Sequence, residues 1–294
     1  MVVFSAIVLI FILYKLFSKG GNGGKEGFSQ NEKFVLKRDM DAYDQFYVKI
    51  YDTLTLPGPR VDGEIGAIVD MTQASEKSIF LDVGSGTGHL VDKLRQRGFQ
   101  AYGIDKSQAM IEHSKLMFPK ANVKCGDATD SMAFERATFS HILCMNQTIY
   151  QFSDKVAFFR NCFFWLLPGG YLVLHLVDRN QFDPIVSAGK PKWFSSPQQH
   201  SDKRITDTII DFGDFKYKAE YDFDVGPNVA VFTETFTDTE SSNVRQNEMT
   251  LYMDDIDDIL KAALFSGFMV KGKSDMRDSA GVRDEHQYLY ILER

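Results

Sequence analysis

The sequence predicts a doubly wound α/β fold, in which a mostly parallel β-sheet is covered by helices on both faces. Between residues 78 and 177, short apolar segments alternate with segments whose apolar residues recur at helical spacing. Strands that are apolar on both faces are typical of parallel sheets buried between helices. The first such segment also runs directly into a glycine-rich turn at residues 84–88, a feature of ligand-binding turns in doubly wound folds.

Composition is that of a globular protein without a large basic surface. The 294 residues are 44% hydrophobic, enough for a sizeable core, and the net charge of −7 repels a phosphate backbone, so we expect no nucleic-acid partner. Three cysteines, Cys125, Cys144 and Cys162, are too few and too scattered for a disulfide framework or a zinc site. We therefore predict reduced, buried thiols and no bound metal.

The N-terminal segment at residues 2–17 is apolar on every side of a helix, with Ser5 and Lys15 as its only strongly polar members. Its length lies near the lower limit of about 17 residues for a bilayer span, and Lys15 can reach the headgroups. The segment predicts a transmembrane helix at residues 1–18. A cleaved signal peptide and an ordinary core helix are the alternatives.

The flanking residues favour a membrane anchor over both alternatives. A signal peptide carries basic residues before its apolar run, whereas here Lys15, Lys19 and Lys25 lie at its end or beyond it. The glycine-rich stretch after Lys19 predicts a flexible tether over residues 19–38, ahead of a folded domain at residues 39–294. Because positive residues stay on the cytoplasmic side, we expect a single-pass membrane protein whose folded domain faces the cytoplasm.

The folded domain begins with two helices and continues as alternating strands and helices. Leu56-Pro57-Gly58-Pro59 separates the two helices. The elements predicted up to the middle of the chain are helices at 43–51 and 61–71, strand 79–83, helix 89–97, strand 101–105, helix 108–118, strands 123–127 and 141–146, helix 156–167 and strand 171–177.

The pattern changes after residue 177. Four extended stretches, separated by Gly, Asn, Asp or Ser, predict an antiparallel β insert at about residues 192–253. A helix at 254–265 and strands at 268–276 and 286–294 close the chain.

The clearest chemical signal is the run Leu81-Asp82-Val83-Gly84-Ser85-Gly86-Thr87-Gly88, between a strand and an amphipathic helix. Glycines permit a tight turn and let a ligand approach the backbone beside the positive end of the helix. A dinucleotide fingerprint would need glycine where His89 stands, so a nicotinamide dehydrogenase is disfavoured.

Two acidic residues follow at the ends of the next two strands. Asp105, 21 residues after Gly84, can accept both hydroxyls of a ribose, although a helix-cap role is the alternative. In Gly126-Asp127-Ala128, the side chain and the adjacent amide can read an adenine edge. An isolated tripeptide of this kind would be an ordinary turn.

In this order the loop at residues 82–88, Asp105, the Gly-Asp-Ala turn and the Pro168-Gly169-Gly170 turn resemble class I S-adenosylmethionine-dependent methyltransferases. The resemblance covers about residues 40–180 and, more loosely, the closing helix and strands. It implies a Rossmann-like, seven-stranded methyltransferase sheet and S-adenosylmethionine as the cofactor.

The resemblance also implies roles for individual residues. The loop glycines would face the methionine part, Asp105 the ribose, and Asp127 with Ala128 the adenine. The residues implied to bind the cofactor are Arg60, Asp82, Gly84, Ser85, Gly86, Gly88, Asp105, Lys106, Met110, Asp127, Ala128 and Asn146.

Within the class, the chain is most similar to small-molecule N-methyltransferases of the glycine N-methyltransferase type. There an upstream arginine binds the cofactor carboxylate, and Arg60 could occupy that position, because a guanidinium matches a carboxylate in two-point geometry. A solvated loop arginine is the alternative. The same comparison places Asn146 beside the transferring methyl group.

A sulfonium methyl group is already activated, so the protein mainly has to align a nucleophile and exclude water. An amine acceptor must lose a proton, and the candidates for this at predicted cleft positions are Tyr43, Asn146, Tyr150 and His175. Each also has a structural interpretation, as a packed aromatic, a turn residue or a core histidine. No catalytic residue is therefore assigned.

The insert follows the fifth strand at the sheet edge where ligands enter, and its aromatic and acidic residues suit a small cation or amine. We predict a membrane-anchored methyltransferase with a small-molecule acceptor, such as an amine or a lipid headgroup. A protein methyltransferase and a non-catalytic S-adenosylmethionine-binding scaffold are the alternatives.

Overall fold

The computed structural model describes residues 32–190, 196–279 and 284–294, which form two β-sheets with helices packed around them. The strands of the larger sheet are β2 (Ile79–Val83), β3 (Gln100–Asp105), β4 (Asn122–Cys125), β5 (Phe139–Cys144), β6 (Leu166–Val177), β11 (Met269–Asp275) and β12 (Gln287–Glu293). Their order across the sheet is β11-β12-β6-β5-β2-β3-β4. β12 pairs antiparallel with β6 and β11, whereas the other pairings are parallel.

Helices connect and cover these strands. They are α1 (Tyr47–Thr55), α2 (Pro57–Thr72), α3 (His89–Gln96), α4 (Gln108–Met117), α5 (Lys155–Trp165), α6 (Ile256–Phe265) and α7 (Met276–Ser279). Local sequence explains several of the starts. Pro57 occupies the first turn of α2, and Ser107 and Asp154 each accept a backbone N–H bond at the start of α4 and α5.

Alternate residues of the central strands point into two separate cores. Leu81 of β2 packs in the core that contains Phe158 of α5, whereas its neighbour Phe80 packs in the core that contains Ile65 of α2 and Leu94 of α3. Both faces of the sheet are therefore buried, as the apolar strands predict.

A second sheet lies beside the carboxyl ends of the main strands. It contains β1 (Phe34–Arg38), β7 (Asp207–Asp211), β8 (Phe215–Gly226), β9 (Val229–Asp238) and β10 (Val244–Tyr252), in the order β1-β10-β9-β8-β7. β7 to β10 are antiparallel, and β1 pairs parallel with β10. β1 thus lies within the segment expected to be a tether. Residues 191–195, at the start of the predicted insert, lie outside the described residues.

Helix α1 packs on this second sheet. The rings of Tyr47 and Phe236 lie 6.2 Å apart, and Arg245 of β10 forms an ion pair with Asp44, just before α1, at 2.9 Å. These contacts hold the second sheet against the end of the main sheet where ligands enter doubly wound folds.

The structure contradicts the predicted transmembrane helix, and with it the predicted single-pass membrane location and membrane contact. Across the described ranges, no helix combines the length and apolar character that a bilayer crossing requires. The longest of them, α2, has 16 residues and includes Arg60, Asp62 and Glu64, whereas a span needs about 20 mostly apolar residues. Residues 1–18, on which the prediction was based, lie outside the described residues.

The three cysteines are all free, and Cys144 and Cys162 are buried as predicted. Cys125 is exposed at the end of the edge strand β4, so the prediction of burial is wrong for this residue.

Candidate functional site

The loop between β2 and α3 is fixed to the neighbouring strand and has no room for side chains at two of its glycines. The backbone N–H of Gly84 donates to the Ile104 carbonyl at 2.9 Å. Gly84 has a φ of +72°, and an added Cβ would lie 2.5 Å from Cγ2 of Thr148. Gly88 has a φ of +85°, and an added Cβ would overlap Oγ of Ser114. Both positions therefore require glycine, because of the positive φ and because neighbouring side chains occupy the space of a Cβ.

Asp105, at the end of β3, holds this loop from the other side. Its Oδ2 accepts a hydrogen bond from Gly86 N at 2.8 Å, and its Oδ1 accepts one from Ser107 N at 2.8 Å. Burial raises the pKa of Asp105, and these two hydrogen bonds oppose the rise. Since each carboxylate oxygen has two acceptor positions, Asp105 can still accept the hydroxyls of a ribose.

Asp127, after β4, is held by its neighbours. Lys106 Nζ lies 2.8 Å from Oδ2, while the backbone N–H and the hydroxyl of Thr129 donate to Oδ1 at 2.8 and 2.7 Å. Burial acts to raise the pKa of Asp127, but the hydrogen bonds from Lys106 and Thr129 outweigh it and lower the pKa. The carboxylate is therefore ionised and fixed in direction.

These groups line one continuous cleft at the carboxyl ends of β2 to β5, here called the strand-end cleft. Its three parts meet at Gly84 and Thr148. The predicted residues that line it are Arg60, Asp82, Gly84, Ser85, Gly86, Asp105, Lys106, Met110, Asp127, Ala128 and Asn146. Gly88 does not line the cleft, because it immediately precedes α3 and packs against α4.

Arg60 lies in a buried charge network at one end of the cleft. Its Nε donates to Glu64 at 2.8 Å and its Nη1 to Asp284 at 3.0 Å, while Nη2 lies 3.3 Å from Nδ1 of His175. Asp82 is buried nearby, and burial raises its pKa well above the usual range, with the charge of Glu64 adding to the rise. Arg60 is thus an ion-paired residue rather than a solvated loop arginine. A ligand carboxylate would have to share it with Glu64 and Asp284.

A second cavity, here called the tyrosine cavity, lies between α1, residues 182–190 and the second sheet. The tyrosines that line it are Tyr43, Tyr47, Tyr51, Tyr217 and Tyr221. Burial raises the pKa of all five, so their hydroxyl groups stay protonated at neutral pH. Tyr51 and Asn146 line both this cavity and the strand-end cleft, so the two spaces meet there.

Sequence reasoning missed Glu234, a carboxylate in the tyrosine cavity. Its side chain is 1% exposed, and Tyr217 Oη donates to its Oε1 at 2.7 Å. Burial raises the pKa of Glu234 to about 7, and the hydrogen bond from Tyr217 opposes the rise. The sequence did contain a signal for this burial. Glu234 alternates with Phe232 and Phe236 along one strand, so it is expected on the same inward face as these two aromatic residues.

The four candidate catalytic residues separate into two pairs. Tyr43 and Asn146 line the two cavities near their junction. Tyr150 and His175 are fully buried and line neither space. The hydroxyl of Tyr150 accepts a hydrogen bond from Val177 N at 2.8 Å and donates to Val177 O at 3.2 Å, which is a packing role.

His175 is a satisfied core histidine. Its Nδ1 accepts from Gln147 N at 3.2 Å, which leaves Nε2 to donate to Oε1 of Gln287 at 2.9 Å. Burial lowers the pKa of His175 to about 3, so the ring is neutral.

Asp52 of α1 is a second residue that sequence reasoning missed. Thr87 Oγ1 donates to its Oδ1 at 2.6 Å, and His89 Nε2 lies 2.8 Å from its Oδ2. Burial acts to raise the pKa of Asp52, but the hydrogen bonds from His89 and Thr87 lower it overall. These contacts join α1 to the glycine loop. They are tertiary contacts across 35 and 37 residues, which no local spacing rule reveals.

Comparison with known protein sequences gave matches in the main sheet. Residues 81–174 match the family described as the methyltransferase domain. A ubiquinone biosynthesis O-methyltransferase from Bradyrhizobium diazoefficiens is 31% identical over 104 residues, which make up 34% of this chain and 40% of that protein. The chain spans about two fifths of the length of the curated relatives it matches.

Solved structures match over most of the chain. A S-adenosylmethionine-dependent methyltransferase from Clostridium acetobutylicum matches with a TM-score of 0.62 at 16% identity, covering 84% of this chain and 97% of the other. CalS10 from Micromonospora echinaspora, an amino pentose methyltransferase solved with S-adenosylmethionine bound, matches with a TM-score of 0.57 at 19% identity, covering 86% and 98%. Identities this low establish a shared fold, and the predicted Rossmann-like methyltransferase fold is confirmed.

Proposed function

We propose that this chain, which belongs to the class I S-adenosylmethionine-dependent methyltransferase family, transfers a methyl group from S-adenosylmethionine to a small-molecule acceptor. The observation that carries the proposal is the junction of the strand-end cleft and the tyrosine cavity at Tyr51 and Asn146. The strand-end cleft suits a nucleoside with a charged tail, and the tyrosine cavity suits an acceptor. The methyl group would have to pass from one space to the other at their junction.

The strand-end cleft offers groups suited to each part of the cofactor. We expect Asp127, Ala128 and Lys106 around the adenine and Asp105 at the ribose hydroxyls. The open backbone at Gly84 and Gly86 would adjoin the methionine part, as it lies opposite Asp105 and is free of side chains. Each of these assignments is a prediction.

Arg60 remains the candidate that binds the cofactor carboxylate. Its predicted role changes, because Arg60 is also part of a buried ion-pair network. Its Nε and Nη1 already donate to Glu64 and Asp284, and its Nη2 lies 3.3 Å from Nδ1 of His175, so a third carboxylate would have to share these donors with the groups already present. We therefore expect Arg60 to contribute to the structure as well as to binding.

A small acceptor is supported by the shape of the tyrosine cavity and by the names of relatives. The cavity has a volume of about 160 Å³ and is bounded by α1, residues 182–190 and the second sheet, which gives a space of the size of a small molecule. One relative acts in ubiquinone biosynthesis, and CalS10 is an amino pentose methyltransferase.

When bound, S-adenosylmethionine supplies an electrophilic methyl carbon on its sulfonium. The chain has to hold the acceptor in line behind that carbon and keep water out. Asn146 is fixed by its hydrogen bond to Tyr51, so both side chains can define the passage between the spaces. The neutral tyrosine rings provide an apolar wall around the acceptor.

Calorimetric titration with S-adenosylmethionine tests the cofactor part of the proposal. Asp105→Ala should lower the affinity about 10- to 100-fold, because hydrogen bonds to a charged group contribute about 1.5–3 kcal/mol. Glu112→Ala, an exposed carboxylate on α4, is the matched control and should leave the affinity unchanged. A folded wild-type chain that does not bind S-adenosylmethionine would contradict the proposal.

Transfer of labelled methyl from S-adenosylmethionine into a small-molecule extract and into a protein extract tests the acceptor class. We expect the label in the small-molecule fraction. Label found in the protein fraction alone would overturn the small-molecule assignment while leaving methyl transfer intact.

A further inference from the structure

We propose that Glu234 binds the protonated amine of the acceptor in the tyrosine cavity and takes a proton from it before methyl transfer. The acceptor is accordingly a small primary or secondary amine, and the nitrogen is the methylated atom. This inference rests on the proposed function and extends it, because it names the substrate class and the residue that recognises it.

The position of Glu234 is unusual for a carboxylate. It lies on β9, near the centre of the second sheet, opposite Ala219 of β8 and Asn247 of β10. Its side chain is 1% exposed and lines the tyrosine cavity. Tyr217 donates to Oε1, whereas Oε2 has no hydrogen bond of normal length and angle to any described residue. The Tyr47 hydroxyl and the Asn247 amide lie close enough to the carboxylate to lower its pKa, but neither completes a hydrogen bond of normal geometry to Oε2. A buried carboxylate oxygen without a partner is costly unless a ligand supplies one.

The cations near Glu234 are committed to other carboxylates. Arg245 of β10 acts electrostatically on Glu234, but its Nη1 and Nη2 lie 2.9 and 3.0 Å from Asp44. Lys190, across the cavity, lies 3.3 Å from Asp183 and 3.1 Å from Asp284. No ion pair to Glu234 occurs within the described ranges. Glu234 can therefore either hold a proton or pair with a cationic ligand.

Aromatic rings surround this carboxylate on the other sides. The titratable and charged groups that face it are Tyr217 and Tyr221 of β8, Arg245 of β10, Tyr43, and Tyr47 and Tyr51 of α1. Because the tyrosines stay neutral, Glu234 is the carboxylate among these groups; Asp183 also lines the cavity, but it is paired with Lys190 at 3.3 Å. A ring-lined space with a carboxylate that has no ion pair attracts an organic cation through both charge and cation–π contact.

The same tyrosines connect Glu234 to the cofactor side. The charges of Glu234 and Asp105 both act on Tyr43 and on Tyr51, so these two side chains lie within electrostatic range of both carboxylates. An amine held by Glu234 is thus directed along the side that leads past Tyr51 and Asn146 to the strand-end cleft.

The chemical step balances with groups already named. The ammonium gives one proton to Oε2 of Glu234 and becomes a neutral amine with a lone pair. That lone pair forms the nitrogen–carbon bond to the methyl group, while the electron pair of the carbon–sulfur bond passes to sulfur, which becomes a neutral thioether. The product leaves as an N-methylammonium ion, and Glu234 returns its proton to water, so one proton is released per transfer.

The alternatives fit the cavity less well. An anionic acceptor would meet the charge of Glu234 without a free cation to offset it. A neutral hydroxyl acceptor brings no positive charge to pair with the carboxylate, so it gains less from Glu234 than an ammonium does. The amine is therefore the class that the site favours.

The test uses the full chain, S-adenosylmethionine with an isotope-labelled methyl group, and a small-molecule cell extract, with the products identified by NMR. The methyl chemical shift separates methyl groups on nitrogen from those on oxygen, carbon or sulfur. We expect the label on nitrogen. Glu234→Gln keeps the shape and can still accept from Tyr217, but should lower kcat/KM about 100-fold or more, because a general base contributes about 10²–10⁴-fold.

Two controls separate catalysis from folding. Glu220→Gln changes an exposed carboxylate on β8 and should leave kcat/KM unchanged. Glu234→Gln should bind S-adenosylmethionine within about twofold of the wild type, since Glu234 lies outside the cofactor cleft. Its residual activity should rise steeply with pH, because only free amine from solution can react.

The outcomes distinguish this inference from the function on which it rests. Label on oxygen, carbon or sulfur, or unchanged kcat/KM in folded Glu234→Gln, would overturn the role of Glu234 and leave methyl transfer standing. Binding of S-adenosylmethionine without transfer to any fraction would overturn both.

Discussion

The side-chain amide of Asn146 donates a hydrogen bond to the hydroxyl of Tyr51 at 3.3 Å, which joins the end of β5 to α1. Asn146 has a φ of +48° and the next residue, Gln147, a φ of +64°. Two successive left-handed residues turn the chain sharply at the place where the two cavities meet. Such backbone strain is often retained at functional sites.

Removal of the Asn146 amide should impair transfer more than cofactor binding. Asn146→Ala should lower kcat about 10- to 100-fold, because small displacements of an aligned acceptor cost up to about 10²-fold. Tyr51→Phe removes the same hydrogen bond and should act in the same direction. Asn228→Ala, at a φ of +56° in the β8–β9 turn, controls for backbone strain alone. A normal kcat for Asn146→Ala would show that this junction does not position the acceptor.

Gly84→Ala should abolish measurable binding of S-adenosylmethionine. The new methyl group would lie 2.5 Å from Cγ2 of Thr148, so the loop or Thr148 has to shift, and both line the cleft. Gly98→Ala is a matched control, because Gly98 also has a positive φ, +91°, but open space around its Cβ position. Both variants should lose stability, and calorimetry should detect lost binding for Gly84→Ala alone. Equal affinity of the two variants for S-adenosylmethionine would show that the cofactor does not depend on the tight packing around Gly84.

Arg60→Met should destabilise the fold strongly. It leaves Glu64 and Asp284 buried without their cation, a change that typically costs about 3–5 kcal/mol in the free energy of unfolding. Lys93→Met removes the more exposed ion pair with Asp62 and should cost less than about 1 kcal/mol. Urea unfolding monitored by circular dichroism measures both losses. Similar losses would show that the Arg60 network is not structurally important.

Glu234 should make the stability of the free protein pH-dependent. Burial raises its pKa to about 7 in the folded chain, against about 4.3 when unfolded. Between these values the folded chain holds a proton that the unfolded chain has lost, so the folded state loses stability as pH rises. Glu234→Gln has no carboxyl group at this position, so its stability does not fall with pH for this reason. Its melting temperature should therefore exceed that of the wild type by more at about pH 8 than at about pH 5. An advantage that does not change with pH would show that Glu234 is ionised in the folded chain at both pH values.

Most strand and helix positions could be predicted from the sequence, because apolar periodicity records which faces are buried. Phe80 and Leu81, for example, are adjacent apolar residues that enter two different cores. The pairing of Phe34–Arg38 with β10 could not be predicted, because its partner lies more than 200 residues away and a single edge strand has no distinctive pattern.

The candidate site was predicted in part. Glycine spacing and strand-end acids pointed to the cleft residues that the structure places together, whereas Tyr150 and His175, predicted at the cleft, are buried in the core. Whether a strand side chain reaches the cleft or the core depends on the face of the sheet to which it points. A shift of one residue along the strand reverses that face.

The sequence by itself determined the order of the elements, the glycine loop and the acids after β3 and β4, because these depend on local spacing and on the conformations that glycine permits. The tertiary structure alone decided that α1 and the second sheet bound the tyrosine cavity, that Arg60 is ion-paired to Glu64 and Asp284, and that Glu234 faces the tyrosines. The physical reason is that burial and charge pairing depend on which distant segments pack together, and that information is not local in the chain.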